Sequence, residues 1–508
     1  MPAPLPRPAF LTLLALVCLL FLRTRFLPTH PQHDSQFPLI IAESLGTYGE
    51  TDNHHHSPSQ TASTKSSNPA DIYFDKTFSL TPSSDYNFRA LRKQCAHTKW
   101  LQENGNGTVY LQCEGIYLGL TSVISQVKSC FKMAIEAGAG VILPNIPLRA
   151  ANNLIAYNQG NHDAEKPFGA WFDEEHLVES MQEACPGLNI ITPQDIEQGR
   201  VEVQNEWNID IHSARYFRER DGYFWAGKPF DAFFEENLRR LREEHKSDES
   251  SRLEGDGTDD REGLHNQLAR STHSSTDAVD LIGIRADFEL FSVINDPTGH
   301  DRIFWNDLGR MLRFRSEPRK IVDEMLRQIG QDRPFFAVHF RGEGDNMWAA
   351  PEDQIRVDLD ALDRAWETYE HDEGVRYEGG AKPLVYLACG DEESIQAFVA
   401  AGKDRGWNVT SKYALAKSMD TTETFDMIEE LPFDFQAIID LGLLVKSYFF
   451  IGIMGSAFSY TVANLRDPTT RYRGSSFEVW DDGGARTHMF PNNDKYGDTT
   501  MEKYACCL

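Results

Sequence analysis

The chain reads as an α/β protein whose parallel sheets are covered by helices on both faces, and three observations predict this. Short apolar runs of strand length recur at residues 141–144, 188–191, 334–340, 382–389 and 448–452. Between them lie stretches with the apolar period of a helix, such as residues 121–138 (TSVISQVKSCFKMAIEAG) and 433–446 (FDFQAIIDLGLLVK). The later strands are of the buried type and end in polar clusters, as strands joined by helical crossovers do.

Taken in order, residues 10–22 (FLTLLALVCLLFL) are wholly apolar and lie between Arg7 and the pair Arg23 and Arg25. As a helix this segment spans roughly 20 Å, less than the roughly 30 Å hydrocarbon core, so its length alone suits a signal peptide. Cleavage needs small residues just beyond, and the chain instead reads Leu22, Arg23, Thr24, Arg25, Phe26, Leu27. An uncleaved signal anchor over 10–27 is therefore expected, with a short cytoplasmic tail at 1–9 and the flanking arginines snorkelling outward. Arginine on both sides leaves the positive-inside rule silent. Orientation rests on two N-glycosylation sequons, Asn106-Gly107-Thr108 and Asn408-Val409-Thr410, which are usable only in a lumen.

Residues 28–76 are poor in periodic apolar positions and read as a disordered stem. A Rossmann-like N-terminal domain is expected over 77–310, from the helix–strand pairs at 121–144 and 172–193. It carries a polar, acidic insertion at about 243–278 that reads as disordered. A second Rossmann-like domain is expected over 311–508. Its strand at 334–340 ends in a polar cluster at 341–345. The strand at 382–389 runs into Gly390-Asp391 and a helix through about Ala401. The helix at 433–446 leads to a strand at 448–452, and Gly455 opens a helix at 456–465. In such sheets ligands sit beyond the carboxyl ends of the strands, where these clusters fall.

At 508 residues the chain exceeds a single core, and 41% hydrophobic residues suffice for two. A net charge of -27 repels a phosphate backbone and excludes nucleic acid as a partner. It leaves room for a nucleotide-sugar, whose diphosphate needs only a few local donors. Eight cysteines, one of them Cys18 in the apolar segment, permit up to three disulfides in an oxidising compartment, with the pairing open. The terminal Cys506-Cys507-Leu508 is no prenylation box. Neither the cysteine spacings nor the run His54, His55, His56 builds a tetrahedral metal site, so no metal is expected. A strand-linked G-x-G-x-x-G is also missing, which disfavours a dehydrogenase.

The sharpest motif is His339-Phe340-Arg341-Gly342-Glu343-Gly344-Asp345. Alternation along a strand puts His339 and Arg341 on one face. Arginine forms paired hydrogen bonds to diphosphate oxygens and keeps its charge. As a diphosphate departs from a sugar its negative charge grows, so a fixed guanidinium favours the transition state over the ground state.

The run VHFRGEGD resembles the H-x-R-x-E-x-D element of the GDP-fucose protein O-fucosyltransferase superfamily. Residues 444–466 (LVKSYFFIGIMGSAFSYTVANLR) are similar to its later strand, Gly-Ser-x-Phe-Ser turn and Arg-ended helix. Residues 114–120 (EGIYLGL), with Cys130 and residues 134–137, resemble its Gly-rich first loop and helix, and residues 384–391 its middle strand and acidic turn. These matches keep the family's order over most of 112–466.

The resemblance implies a GT-B fold of two facing Rossmann-like domains, with the donor held by the C-terminal one. It implies inverting, metal-free transfer from GDP-fucose or another GDP-sugar to a protein or glycan hydroxyl, and the anchor and sequons add the expectation of a single-pass type II protein of the Golgi or endoplasmic reticulum membrane with a lumenal catalytic domain. Arg341 would clamp the β-phosphate and His339 support the nucleotide or departing diphosphate. Asp391 would meet the guanine or ribose edge, and Ser456, Phe458 and Ser459 the nucleotide. As plain structure, Phe458 would be core and Ser456 a helix cap. Glu114 is the candidate base for the acceptor proton, with Glu343 its rival. Gly342 and Gly344 loosen the loop around Arg341, and the acidic insertion has no counterpart in the resemblance. The competing reading is a non-catalytic lumenal protein that keeps a GT-B shell to bind sugar-nucleotide or glycan. A further one is a transferase for a different nucleotide-sugar.

Overall fold

The computed structural model describes residues 68–83, 86–102, 108–149, 165–209, 230–255, 278–285, 300–330, 334–342, 350–373, 381–453, 456–466 and 486–490. The expected anchor at 10–27, most of the stem, Asn106, Glu343 to Asp345, Gly455 and the terminal cysteines lie outside them. Among the described residues no helix is long and apolar enough to cross a membrane.

The chain becomes regular earlier than its composition suggests. Helix α1 (Pro69–Thr77) starts on Asn68, whose side chain accepts from the Ala70 N–H at 3.1 Å, with Pro69 in the first turn and Lys76 in the last. Tyr73 and Phe78 are buried, and Phe78 packs 4.9 Å from the Phe314 ring. The reading of 28–76 as a disordered stem therefore fails over its last residues. Their polar neighbours hide an apolar face that a helix gathers onto the core.

There follow α2 (Arg89–His97), β1 (Thr108–Glu114), α3 (Leu120–Ala137), β2 (Gly140–Ile142) and the small antiparallel pair β3 (Ile146–Pro147) and β4 (Glu165–Lys166). Then come α4 (Glu174–Ala184), β5 (Ile190–Ile191), α5 (Pro193–Glu197), β6 (Val203–Ile209), α6 (Phe230–Gly255), β7 (Val279–Arg285) and α7 (His300–Met311). Helix α6 continues to residue 255, so the expected acidic insertion begins as helix. The first residue of that stretch, Glu243, pairs back to Arg239 one turn earlier, i,i+4 at 2.9 Å. The first sheet is parallel throughout, in the order β5-β2-β1-β7-β6. Strand β1 is thus central, and the order reverses between it and β7.

Helix α3 is buried along almost its whole length and ends at Gly138. That residue has φ 67°, and a Cβ there would sit 2.1 Å from the Lys99 carbonyl oxygen. Its buried Lys132 donates to Glu136 at 2.8 Å and also pairs with Asp301 of α7. Helix α2 has no side-chain cap of its own. Buried Asp307 of α7 supplies one, accepting from the Ala90 and Leu91 N–H groups at 3.0 and 3.1 Å and from the Tyr86 hydroxyl at 2.5 Å.

The second half contains α8 (Ser316–Ile329), β8 (Phe336–His339), α9 (Pro351–Glu373), β9 (Leu384–Ala388), α10 (Glu392–Asp404), β10 (Asn408–Thr410), α11 (Lys412–Lys417) and α12 (Glu423–Glu430). It closes with α13 (Phe433–Lys446), β11 (Phe449–Ile453), α14 (Ala457–Arg466) and β12 (Thr487–Phe490). Its sheet is parallel in the order β10-β9-β8-β11-β12, the 3-2-1-4-5 winding of a Rossmann unit. Buried Arg466 closes α14. It donates to the Leu444, Val445 and Ser447 carbonyls at 3.3, 2.9 and 2.5 Å, satisfying the end of α13.

Both halves lie in one compact unit, residues 65–508. A continuous core runs from Leu111 and Ile135 through Phe314 to Ile438, Leu444 and Tyr460, so α3, α13 and α14 form a layer shared between the sheets. A separate cluster with Phe336, Val338, Phe340, Phe398 and Trp407 covers the other face of the second sheet. Where the halves meet, Arg149, just past β3, grips buried Asp434 in the first turn of α13. Its backbone N–H donates to Oδ2 at 2.8 Å, its Nε to Oδ1 at 2.8 Å and its Nη2 to Oδ1 at 2.5 Å. Two disulfides, Cys95–Cys185 and Cys113–Cys130, use four of the eight cysteines, and Cys389 is a half-buried free thiol.

Candidate active site

The second sheet reverses its winding between β8 and β11, and ligands of such sheets gather outside the carboxyl ends at that point. Two sequence elements end there: β8, at His339, and β11, which leads into the start of α14. Phe336, Val338 and Phe340 belong to the outer core cluster. Strand alternation therefore turns His339 to the opposite face, toward α14. The strand ends at His339, so Arg341 stands on the connection beyond it.

His339 is fixed from two sides. Its Nδ1 lies 2.6 Å from the Ser459 hydroxyl, and its ring packs on Phe458 with centroids 4.9 Å apart. Burial, with the positive charge of Arg341 adding to it, pushes the His339 pKa down to about 3. Both influences favour the neutral imidazole. Ser459 is itself fully buried, and its Oγ accepts from the Ile453 N–H at 3.0 Å. Close approach of α14 to β11 makes this possible and requires Gly452. A Cβ there would lie 2.8 Å from the Ser459 Cβ and 2.9 Å from the Met489 sulfur.

The expected roles of the Gly-Ser-x-Phe-Ser turn change accordingly. Ser459 is fully buried and lies under His339. Ser456 is 1% exposed and caps α14, its Oγ at 3.5 Å from the Ser459 N–H and its carbonyl accepting from the Tyr460 N–H at 3.0 Å. Phe458 is half-buried and supports the His339 ring. Asp391 caps α10, accepting from the Ser394 N–H at 2.8 Å. It sits one strand over from His339, and the Ser394 hydroxyl ties that turn to the Gly342 carbonyl at 3.4 Å. His339, Arg341, Gly342, Asp391 and the start of α14 thus share one edge of the second sheet.

Glu114 lies elsewhere, exposed at the carboxyl end of β1, in register with Arg285 of β7. This is the reversal point of the first sheet. The loop that follows is rigidly held. Cys113–Cys130 ties its start to α3, and buried Gln126 brackets Tyr117, accepting from its N–H at 3.2 Å and donating to its carbonyl at 2.6 Å. These restraints support Leu118 at φ 82°, a left-handed conformation that costs a branched residue roughly 1–3 kcal/mol. Gly119, the N-cap of α3, packs on the Arg149 guanidinium, with Nη2 3.1 Å from where its Cβ would be. Arg149 had no local signal in the sequence, and neither did the contact of Ser459 with His339, because the partners lie 285 and 120 residues away. Among the described residues no group of three or more His, Cys, Asp or Glu is arranged to hold a metal ion.

A family model described as GDP-fucose protein O-fucosyltransferase matches residues 125–469. No curated protein matches the chain. Among solved structures, the chain is similar to POFUT1 in complex with GDP-fucose, at 14% identity and a TM-score of 0.37, over 76% of this chain and 98% of that one. It is also similar to NodZ alpha-1,6-fucosyltransferase soaked with GDP-fucose, at 14% identity and a TM-score of 0.34, over 71% and 92%. For the NodZ fucosyltransferase from Bradyrhizobium the values are 13% and 0.32, over 68% and 87%.

Proposed function

The chain belongs to the GDP-fucose protein O-fucosyltransferase family of glycosyltransferases, and from that premise we propose that it transfers fucose from GDP-fucose to a protein or glycan hydroxyl, with inversion and without a metal. The observation that carries this reading is the placement of His339, held by Ser459, and of Arg341 just beyond it at the reversal point of the second sheet. In this reading the sheets form a GT-B pair with GDP on the second. Arg341 binds the β-phosphate and gains strength as the fucosyl bond breaks and charge accumulates there. His339 adds a neutral donor, and the first turn of α14 adds the positive end of its dipole. Asp391 keeps one oxygen for the guanine or ribose edge after capping α10.

The acceptor hydroxyl loses its proton as the new bond forms, and Glu114 is the base we assign, with Glu343 as the rival. A place in the Golgi or endoplasmic-reticulum lumen, behind a type II anchor at 10–27, belongs to the same proposal. The two disulfides favour it, because such bonds persist in oxidising compartments.

The test is calorimetric titration in chelator with GDP, UDP and GDP-fucose, followed by turnover. GDP should bind, and Arg341→Ala should abolish binding. Arg341→Lys should lose most of the rate, since one ammonium does not replace a planar fork. Equal binding of UDP would overturn the donor. Binding without hydrolysis or transfer would favour the non-catalytic reading.

A further inference from the structure

The chemistry of one buried serine constrains the histidine at the site. A serine hydroxyl has a single proton to give and two lone pairs. At Ser459 one lone pair is occupied by the Ile453 N–H at 3.0 Å. The other close polar neighbour of Oγ is Nδ1 of His339, at 2.6 Å. Were Nδ1 protonated, it would donate to Oγ, and the hydroxyl proton would be left in a fully buried place with no acceptor among the described residues. Stranding a buried donor is costly. The consistent arrangement sends the serine proton to Nδ1 and leaves the histidine proton on Nε2. Nε2 hydrogen-bonds to none of the described residues, and His339 keeps part of its surface at solvent, beside Arg341.

We propose that Ser459 is a positioning residue: its hydroxyl locks His339 as the Nε2–H tautomer, so that the ring meets the anionic diphosphate as a hydrogen-bond donor and never serves as a base. That the anion is a nucleoside diphosphate rests on the function proposed above; the tautomer itself does not. The backbone has been shaped to this end. Gly452 lets the Ser459 Cβ close on β11, and Phe458 holds the imidazole plane. The charged neighbour acting on the ring is Arg341, which opposes an imidazolium and not a neutral donor.

The test is nitrogen-15 NMR on the full chain labelled at its 16 histidines, with the His339 signals assigned by H339Q. The wild-type ring should show an unprotonated Nδ1 and a protonated Nε2, and it should not titrate between pH 5 and 8. A protonated Nδ1, or a titration in that range, overturns the proposal, and this measurement needs no folded Ser459 variant. In parallel, S459A should weaken GDP binding by roughly ten- to hundred-fold and mix the tautomers, whereas S459T should keep the wild-type signature and bind within about threefold. GDP binding to S459A at wild-type strength would also overturn the proposal while leaving the donor reading intact. The predicted tautomer in a wild-type chain that binds no GDP would sink the donor reading and leave the positioning role of Ser459 standing.

Discussion

Removing the negative charge of Glu136 should stabilise the protein at alkaline pH and do little at acid pH. Lys132 offers one ammonium to two carboxylates, Glu136 and Asp301, in a pocket where only 9% of the Glu136 side chain remains exposed. One cation neutralises one anion, and burial disfavours the second charge. Burial first, and then the charge of Asp301, push the Glu136 pKa up to about 7 from its ordinary 4.5. The folded state therefore binds this proton more tightly than the unfolded state. Stability falls as pH rises from about 4.5 to about 7, and the loss is complete above that. A rise of that size corresponds to about 3 kcal/mol at alkaline pH. Urea unfolding of E136Q and wild type at pH 4.5, 6 and 8.5 measures it, because titrating groups remote from this cluster cancel in the difference. The stability of E136Q relative to wild type should rise by about 3 kcal/mol from the lowest to the highest pH. A difference independent of pH would refute the shared-ammonium argument.

The two disulfides close loops of 90 and 17 residues, so the loop-entropy account assigns them about 4.6 and about 3 kcal/mol. Unfolding of C95S/C185S and C113S/C130S should show that order, and the second pair should in addition slow turnover by freeing the loop at Glu114. The Gly452→Ala change puts a methyl group against Ser459 and Met489. It should cost about 1–3 kcal/mol of stability and weaken GDP binding in the same calorimetric assay. Truncating the tertiary cap with Asp307→Ala strands the Ala90 and Leu91 N–H groups, and the urea midpoint should drop by the equivalent of about 2–4 kcal/mol.

The strands that carry the candidate site were legible because each is a short apolar run ending in polar residues. Phe336–His339 and Leu384–Ala388 fall inside the predicted runs, and Phe449–Ile453 overlaps the run at 448–452 and extends one residue past it. Periodicity likewise placed Leu120–Ala137 and Phe433–Lys446. What composition misjudged were helices whose apolar face is thin. Pro69–Thr77 and the stretch to residue 255 are rich in charge, and only the packing of Tyr73 or Phe234 reveals an inner side. At the site, the motif drew attention to His339 and Ser459 together but not to their relation. That depends on α14 lying across β11, which hinges on the missing side chain at Gly452. Ser456 illustrates the opposite outcome, since its helix-capping position was already implicit in a serine before a helical run.

The grip of Arg149 on Asp434 bears on how the two halves meet. Parting the halves along that seam would separate a buried carboxylate from three donors, and hydration of the two freed charges would offset much of that loss. What the grip fixes is therefore angle and not closure, because an arginine that engages both oxygens of one aspartate lets the two halves meet in a single orientation.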